Sequence, residues 1–324
     1  MTRRLTERDV LEKIVRTFPA AGNDAPGLPL DDDTALLRTA SGDDTILTCD
    51  WFLEGSHFRQ EQHPADSVGW KCLTRAASDI AAMGGRPRYF LLSLAIPERQ
   101  TGKWLNEFLL GLRRATEVLG CRLAGGDTTR NKRILINVTV LGAVAKGKAI
   151  RRRGAKPGDQ LFVTGTLGES ELGLRLLRTH RGLSPERNPA IQKHLYPEAR
   201  LALGQWLSTN RLATAMMDLS DGLSSDLPRL CAASGVGARI FAAQVPLTGL
   251  VDPNEALSFA LHGGDDYELL FAVKPAVARK LPKAHLGVRL TCIGEITTRE
   301  KIVIEAGGRP NALIAGGWDP FRKR

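Results

Sequence analysis

The sequence predicts a two-domain α/β (α+β) protein. Three observations carry that expectation. The chain has 324 residues, room for two domains at roughly 150 residues each. Its first half alternates short apolar runs with longer segments of helical periodicity. After a basic stretch and GAKPGD (154–159) the alternation restarts, which places a boundary near residue 150 and gives domains 1–150 and 151–324.

The elements follow in order. MTRRLTERDVLEKIVRTF is amphipathic, with Leu11, Ile14 and Val15 on one helical face, and its acids argue against a secretory signal. TILTCD (45–50) predicts a strand running into acids. PADSVGWKCLTRAASDIAAMGG (64–85) predicts a helix, with Pro near its start and a glycine pair at its end. YFLLSLAIP (89–97) predicts a strand, and KWLNEFLLGLRRATEVLG (103–120) an amphipathic helix closed by Gly120. RLAGGD (122–127) and ILINVTVLGAVA (134–145) complete the half as strands. In the second half LFVTGTLG (161–168) predicts a strand, a glycine turn and a helix start, and HRGLSPERNP (180–189) a loop. ATAMMD (213–218) predicts a strand, LSSDLPRLCAAS (223–234) a helix despite Pro228, and FALHGGDDYELLFAV (259–273) a helix end, an acidic turn and a strand.

Composition narrows the function classes. Hydrophobic residues are 43% and charged residues 25%, an ordinary globular profile. No apolar run approaches the roughly 20 residues that span a bilayer, so no membrane partner and a cytoplasmic location are expected. The five cysteines form no CxxC pair and sit among apolar neighbours, which predicts buried free thiols. The net charge of +10 raises nucleic acid as a partner, but the cations are dispersed apart from AIRRRGAK (149–156) and FRKR, without interleaved aromatics. A basic surface for phosphorylated small molecules fits better, and no nucleic acid is expected. GAVAKGKA (142–149) matches part of a Walker A loop, yet Ala149 stands where that motif needs a hydroxyl, so a turn after a strand is expected.

The acids recur in one setting. Asp50 ends a strand, Asp79 lies in SDIAAMGG, Asp127 follows a glycine pair, Asp218 and Asp221 bracket the turn of MMDLSDGL, and Asp265 and Asp266 follow Gly263 and Gly264. Singly each could be a cap or a surface charge. Together, beside Gly or Ser at strand ends, they predict a site that holds Mg²⁺ around a polyphosphate, since oxygen-only donors suit that ion.

GWKCLTRAASDIAAMGG, LAGGDTTR, GAKPGDQLFVTGTLGES, MMDLSDGLSSDL and LHGGDDYELLF resemble, in order, the signatures of the thiamine-monophosphate kinase family, within the aminoimidazole ribonucleotide synthetase and selenophosphate synthetase superfamily. CDWFLEGSHF resembles a stretch that separates this kinase from its relatives. The resemblance runs from about residue 30 to Trp318. It implies two α/β domains with the N-terminal ones paired in a homodimer, ATP as co-substrate, several Mg²⁺ ions and thiamine monophosphate as acceptor.

Residue by residue, the resemblance implies metal positions at Asp33, Thr48, Cys49, Asp50, Asp79, Asp127, Asp218 and Asp221. It implies nucleotide contacts at Gly126, Asp127, Arg152 and Ser220, and substrate contacts at His57, Asp265 and Trp318. His57 could instead be a core histidine, Arg152 a solvated neighbour and Trp318 a domain cover. Three departures stand out: Asp31 where the family usually has Gly, Cys49 where a hydroxyl is common, and Asp265 where it has Glu. The acceptor oxygen is already ionised, so no general base is nominated; direct transfer with charge stabilisation by Arg152 and Mg²⁺ is expected. Two other readings fit the sequence less well. A selenophosphate synthetase would carry a reactive Cys near the N-terminus, and no Cys precedes Cys49; an idle nucleotide-binding protein has no need of all the acidic motifs.

Overall fold

The computed structural model describes residues 35–37, 42–179, 188–298 and 301–321. The N-terminal helix expectation, Asp33 and most of the 180–189 loop fall outside those residues.

The first half folds as a five-stranded sheet backed by two helices. Strands β1 (Ala35–Leu37), β2 (Asp43–Leu53), β3 (Arg86–Ile96), β4 (Arg122–Arg130) and β5 (Leu135–Ala145) lie in the order β1-β2-β5-β3-β4. Only the β3–β4 pair is parallel. Alternation along β2, β3 and β5 turns Ile46, Phe52, Phe90, Leu92, Ile136 and Val138 inward onto helices α1 (Ala65–Ala82) and α2 (Lys103–Leu119). The helices cross closely: a Cβ on Gly69 would stand 2.0 Å from the Phe108 carbonyl oxygen, and one on Gly111 1.8 Å from that of Asp66. Gly120 ends α2 in the left-handed conformation at φ 64°, as its position predicts. The opposite sheet face is open, with Trp51, Tyr89 and Leu91 between 40% and 53% exposed.

The second half builds a larger sheet from β6 (Gln160–Thr164), β7 (Ala213–Asp218), β8 (Gly237–Phe241), β9 (Leu269–Val273), β10 (Ala284–His285), β11 (Val288–Thr297), β12 (Ile302–Ala306) and β13 (Arg309–Ala312). Its order is β13-β12-β8-β11-β6-β9-β7, with β10 on β11. Around it lie α3 (Glu169–Thr179), α4 (Pro189–Leu195), α5 (Leu201–Thr209), α6 (Leu223–Ser234), α7 (Pro253–His262) and α8 (Pro275–Ala278). Both sheets are mainly antiparallel, so the alternation in sequence corresponds to an α+β arrangement.

Helix α1 is packed from both sides. Its Ala81 and Ala82 share a cluster with Phe162, Leu203, Leu207, Met216 and Phe271 of the second half. Gly204 permits the approach, since a Cβ there would lie 2.1 Å from the Ala81 carbonyl oxygen. Trp70 Nε1 donates to the Pro197 carbonyl oxygen at 2.8 Å. One helix therefore serves as wall for both sheets.

One expectation is corrected here. Cys72, Cys121 and Cys231 are buried free thiols, but Cys49 is exposed and Cys292 half-buried. Cys49 alternates with Thr48 and Asp50 along β2, so its side chain lies on the open sheet face.

Candidate active site at the domain seam

The polar stripe of α1 organises the site. Lys71, Arg75, Ser78 and Asp79 fall at i, i+4, i+7 and i+8, one helical face, and each meets a different acidic or hydroxyl motif. Lys71 Nζ donates to Asp265 Oδ2 at 2.9 Å. Arg75 Nε and its second terminal nitrogen bind the Asp50 carboxylate at 3.2 and 3.4 Å. Ser78 Oγ donates to Asp218 Oδ2 at 2.6 Å, across the domain seam. Thr48 Oγ1 donates to Asp79 Oδ2. Burial raises the Asp50 pKa; Arg75 opposes that, while Asp221 and Asp265 reinforce it. Several carboxylates thus surround one buried guanidinium.

The second half supplies the opposing wall. Asp221 accepts from Arg229 at 2.6 Å, and the buried Asp226 carboxylate caps the same turn by accepting from the Asp221 and Gly222 amides at 3.0 and 3.1 Å. Asp265 and Tyr267 both have left-handed backbones, at φ 67° and 51°. That conformation costs about 1–2 kcal/mol for an ordinary residue. It is held by the Asp265 amide donating to the Ser220 carbonyl oxygen and the Tyr267 amide to that of Leu219, at 2.8 and 2.9 Å. Tyr267 Oη donates to Asp265 Oδ1 at 2.6 Å. Burial alone would raise the Asp265 pKa, but Lys71 and Arg75 outweigh it and hold the carboxyl well below its usual range.

Glu268 pins this segment from beneath. It is fully buried, takes Lys193 Nζ at 2.5 Å and a two-pronged grip from Arg200 at 2.6 and 2.7 Å, and accepts from Thr164 Oγ1. Its carbonyl oxygen accepts from the Leu219 amide at 2.8 Å, joining the two acidic turns.

His57 and Trp318, 261 residues apart in sequence, meet with ring centroids 6.2 Å apart. The Trp318 amide donates to the Asp221 carbonyl oxygen at 3.0 Å. A Cβ on Gly317 would lie 2.2 Å from that same oxygen, so glycine lets the tail press down here. Burial, assisted by Arg75 and Lys71, lowers the His57 pKa to about 4. The ring is neutral near pH 7, and Nδ1 accepts from the Leu53 amide at 3.0 Å. The proton therefore sits on Nε2, which becomes a donor.

The structure gathers Asp50, Asp79, Asp218, Asp221, Ser220, His57, Asp265 and Trp318 around α1. It does not bring Asp127 into that group. Asp127 pairs with Ser93 in the β3–β4 ladder, on the face opposite Phe90 and Leu92, and β4 is exposed throughout. The row Asp50–Val138–Leu92–Gly126 nevertheless crosses the sheet at one level, so Asp127 lies on the other side of the same sheet end. A Cβ on Gly126 would stand 1.9 Å from the Leu92 carbonyl oxygen, which excludes any side chain. Arg152 is half-buried, and its carbonyl oxygen accepts from Ser234 Oγ at 3.0 Å. Lys71, Arg75 and Glu268 were not singled out from sequence. The first two were detectable as the i−8 and i−4 neighbours of Asp79.

Two sheets joined through one helix, with acids from both at the seam, define a protein of the AIR synthase related class. The N-terminal domain model of that class matches residues 31–144 and the C-terminal one residues 156–307. The thiamine-monophosphate kinase of Escherichia coli (strain K12) is 38% identical over 303 residues, 91% of this chain and 92% of that protein. The solved structure of AaThiL complexed with AMPPCP and TMP is 31% identical, covers 98% of this chain and 99% of its own, and gives a TM-score of 0.85. Thiamine-monophosphate kinase from Stenotrophomonas maltophilia K279a is 32% identical over 95% of this chain and 100% of its own, with a TM-score of 0.76. The chain belongs to the thiamine-monophosphate kinase family.

Proposed function

We propose that this chain transfers the γ-phosphoryl group of ATP directly to thiamine monophosphate, giving ADP and thiamine diphosphate. The observation that carries the reading is the α1 stripe, which ties every described acidic motif but one to a single seam between the domains. Family membership and a solved relative complexed with AMPPCP, a non-hydrolysable ATP analogue, and TMP support it.

The donor set suits Mg²⁺ and no softer ion. Among the described residues no three His, Cys, Asp or Glu side chains converge as a ready metal cage. Mg²⁺ takes one or two carboxylates plus substrate phosphates, and the oxygens gathered here are carboxylates and hydroxyls. Asp50, Asp79, Asp127, Asp218 and Asp221, with Asp33 and the Thr48 hydroxyl, would hold the ions; Cys49 would serve only through its backbone. Bound Mg²⁺ would screen the repulsion between donor and acceptor phosphates.

The chain's own groups do the rest. Gly126 and Asp127 line the nucleotide phosphates, with Ser220 and Arg152 as further contacts, and Arg152 adds a fixed cation where charge develops. His57 donates its Nε2 proton to the substrate. Asp265 is 29% exposed and keeps lone pairs beyond those used by Lys71 and Tyr267. No general base is required, since the acceptor is an ionised phosphate. The division into an ATP, Mg²⁺ and dimer domain (1–150) and a domain completing both sites (151–324) is part of the same proposal, as is a cytoplasmic location. No helix of the described residues is long and apolar enough to cross a membrane. The open sheet face bearing Trp51, Tyr89 and Leu91 is the surface for a homodimer.

Incubation with ATP, Mg²⁺ and thiamine monophosphate should yield thiamine diphosphate on chromatography. ADP formed without it would defeat the acceptor assignment. Trp318→Ala should raise the Michaelis constant for thiamine monophosphate about 2- to 30-fold, from roughly 0.5–2 kcal/mol of cation–π contact, with that for ATP unchanged. Trp318→Phe should recover most of it. Equal loss for both substrates would make Trp318 a packing residue.

A further inference from the structure

The basic segment 146–154 is not used by the reaction above, apart from Arg152. It lines an open cavity of about 860 Å³ at the far end of the domain seam. Five cations reach that cavity: Lys146, Lys148, Arg151 and Arg153 from the segment, and Arg211 from the residues before β7. Its one acid, Asp44, is 3% exposed and turned to the backbone, where Oδ2 accepts from the Gly147 amide at 3.1 Å. Asp44 and Asp50 stand six residues apart on β2, about 20 Å at ~3.3 Å per residue, so the cavity is separate from the acidic seam.

The cations are carried on a fixed backbone. The Lys148 amide donates to the Ala145 carbonyl oxygen at 2.8 Å, and Ser208 Oγ to that of Lys148 at 2.8 Å. Lys148 Nζ donates to the Thr209 carbonyl oxygen at 2.9 Å. The Met216 amide donates to the Arg151 carbonyl oxygen at 2.9 Å, and the Gly154 amide to Ser234 Oγ at 3.1 Å. Arg211 holds a left-handed backbone at φ 52°, a conformation that glycine or asparagine would adopt at lower cost. That backbone ends α5: the Arg211 amide donates to the Ser208 carbonyl oxygen at 3.0 Å and the Leu212 amide to that of Leu207 at 2.9 Å. Lys148, Arg153 and Arg211 form no ion pair with a carboxylate among the described residues.

We propose that this cavity is a second, non-catalytic binding site for a diphosphate group. A volume of that size accommodates a small-molecule ligand. Lys148, Arg153 and Arg211, the three lining cations with no carboxylate partner among the described residues, match the three or so negative charges of a diphosphate and exceed what a single phosphate needs. Free pyrophosphate and a nucleoside diphosphate share that chemistry.

Isothermal titration of the full chain in EDTA, without divalent cations, tests it with pyrophosphate, ADP and orthophosphate in separate arms. Pyrophosphate should bind once per chain, and orthophosphate at least about ten-fold more weakly. Arg153→Glu/Arg211→Asn should weaken pyrophosphate at least about ten-fold, Arg153→Gln alone by less, and Arg152→Ala should leave it unchanged. ADP binding that the double variant loses assigns the site to nucleoside diphosphates; pyrophosphate binding alone assigns it to the inorganic ion. Either result upholds a diphosphate site. Three results overturn it: no binding of either diphosphate, orthophosphate binding as tightly as pyrophosphate, or Arg153 variants that bind like the parent chain while Arg152→Ala does not.

Discussion

Asp127→Asn is expected to lower turnover at least about 100-fold while leaving the melting temperature nearly unchanged. Outer-shell partners of a metal site already cost about 10–100-fold, so a direct ligand should cost no less. The fold should be indifferent, because β4 is exposed along its whole length and surface changes usually stay within about 0.5 kcal/mol. Asp50→Asn should lose activity similarly but also lose stability, since Arg75 would keep a buried guanidinium without its carboxylate. The pair of variants separates a binding role from a packing one. Steady-state assays over a Mg²⁺ series with parallel thermal melts decide it. Near-normal turnover of Asp127→Asn at limiting Mg²⁺ removes Asp127 from the ligand set.

Glu268→Ala is expected to destabilise the chain by about 3–5 kcal/mol, the range for breaking a buried ion pair by removing one partner. Lys193 would lose its carboxylate, Arg200 would keep only the exposed Glu198, and Thr164 would lose its acceptor. The pH dependence gives an independent check. Burial would raise the Glu268 pKa, but Lys193 and Arg200 depress it from 4.5 to about 2. A depressed carboxylate contributes stability that is fully present above about pH 4.5 and is lost as pH falls toward 2. That contribution is about 3 kcal/mol at ~1.4 kcal/mol per unit. Urea unfolding of the parent chain should therefore weaken between pH 4.5 and 2, with Glu268→Ala lacking that share of the decline. Equal pH slopes in both proteins would remove Glu268 as their source.

Much of the chain was legible because its signals are local. The glycine ending α2, the period of α1 and the apolar alternation of β2, β3 and β5 each act within a few residues, and the folded elements follow them. The turn after β5 in place of a Walker loop was equally local. Cys49 departs from the buried expectation because its neighbours are apolar in sequence while the face it occupies is decided by alternation against a sheet. Helices α4 and α5 were not anticipated; Asn188 caps the first by accepting from the Ala190 and Ile191 amides at 3.0 and 3.2 Å.

The sequence by itself determined the two-domain α/β (α+β) class, the family and the identity of the acidic motifs, because strand and helix periods and long ordered motifs are properties of contiguous residues. Only the tertiary structure decided how those motifs meet. It set Lys71 and Arg75 between the acids, seated Glu268 beneath the 265–268 turn, placed Asp127 on the opposite sheet face from Asp50, and laid Trp318 beside His57. Those relations rest on contacts between residues distant in sequence, made only once α1 is packed between both sheets and water has left the seam. Burial and Coulomb forces there depend on the three-dimensional arrangement of charges, and periodicity along the chain carries no information about it.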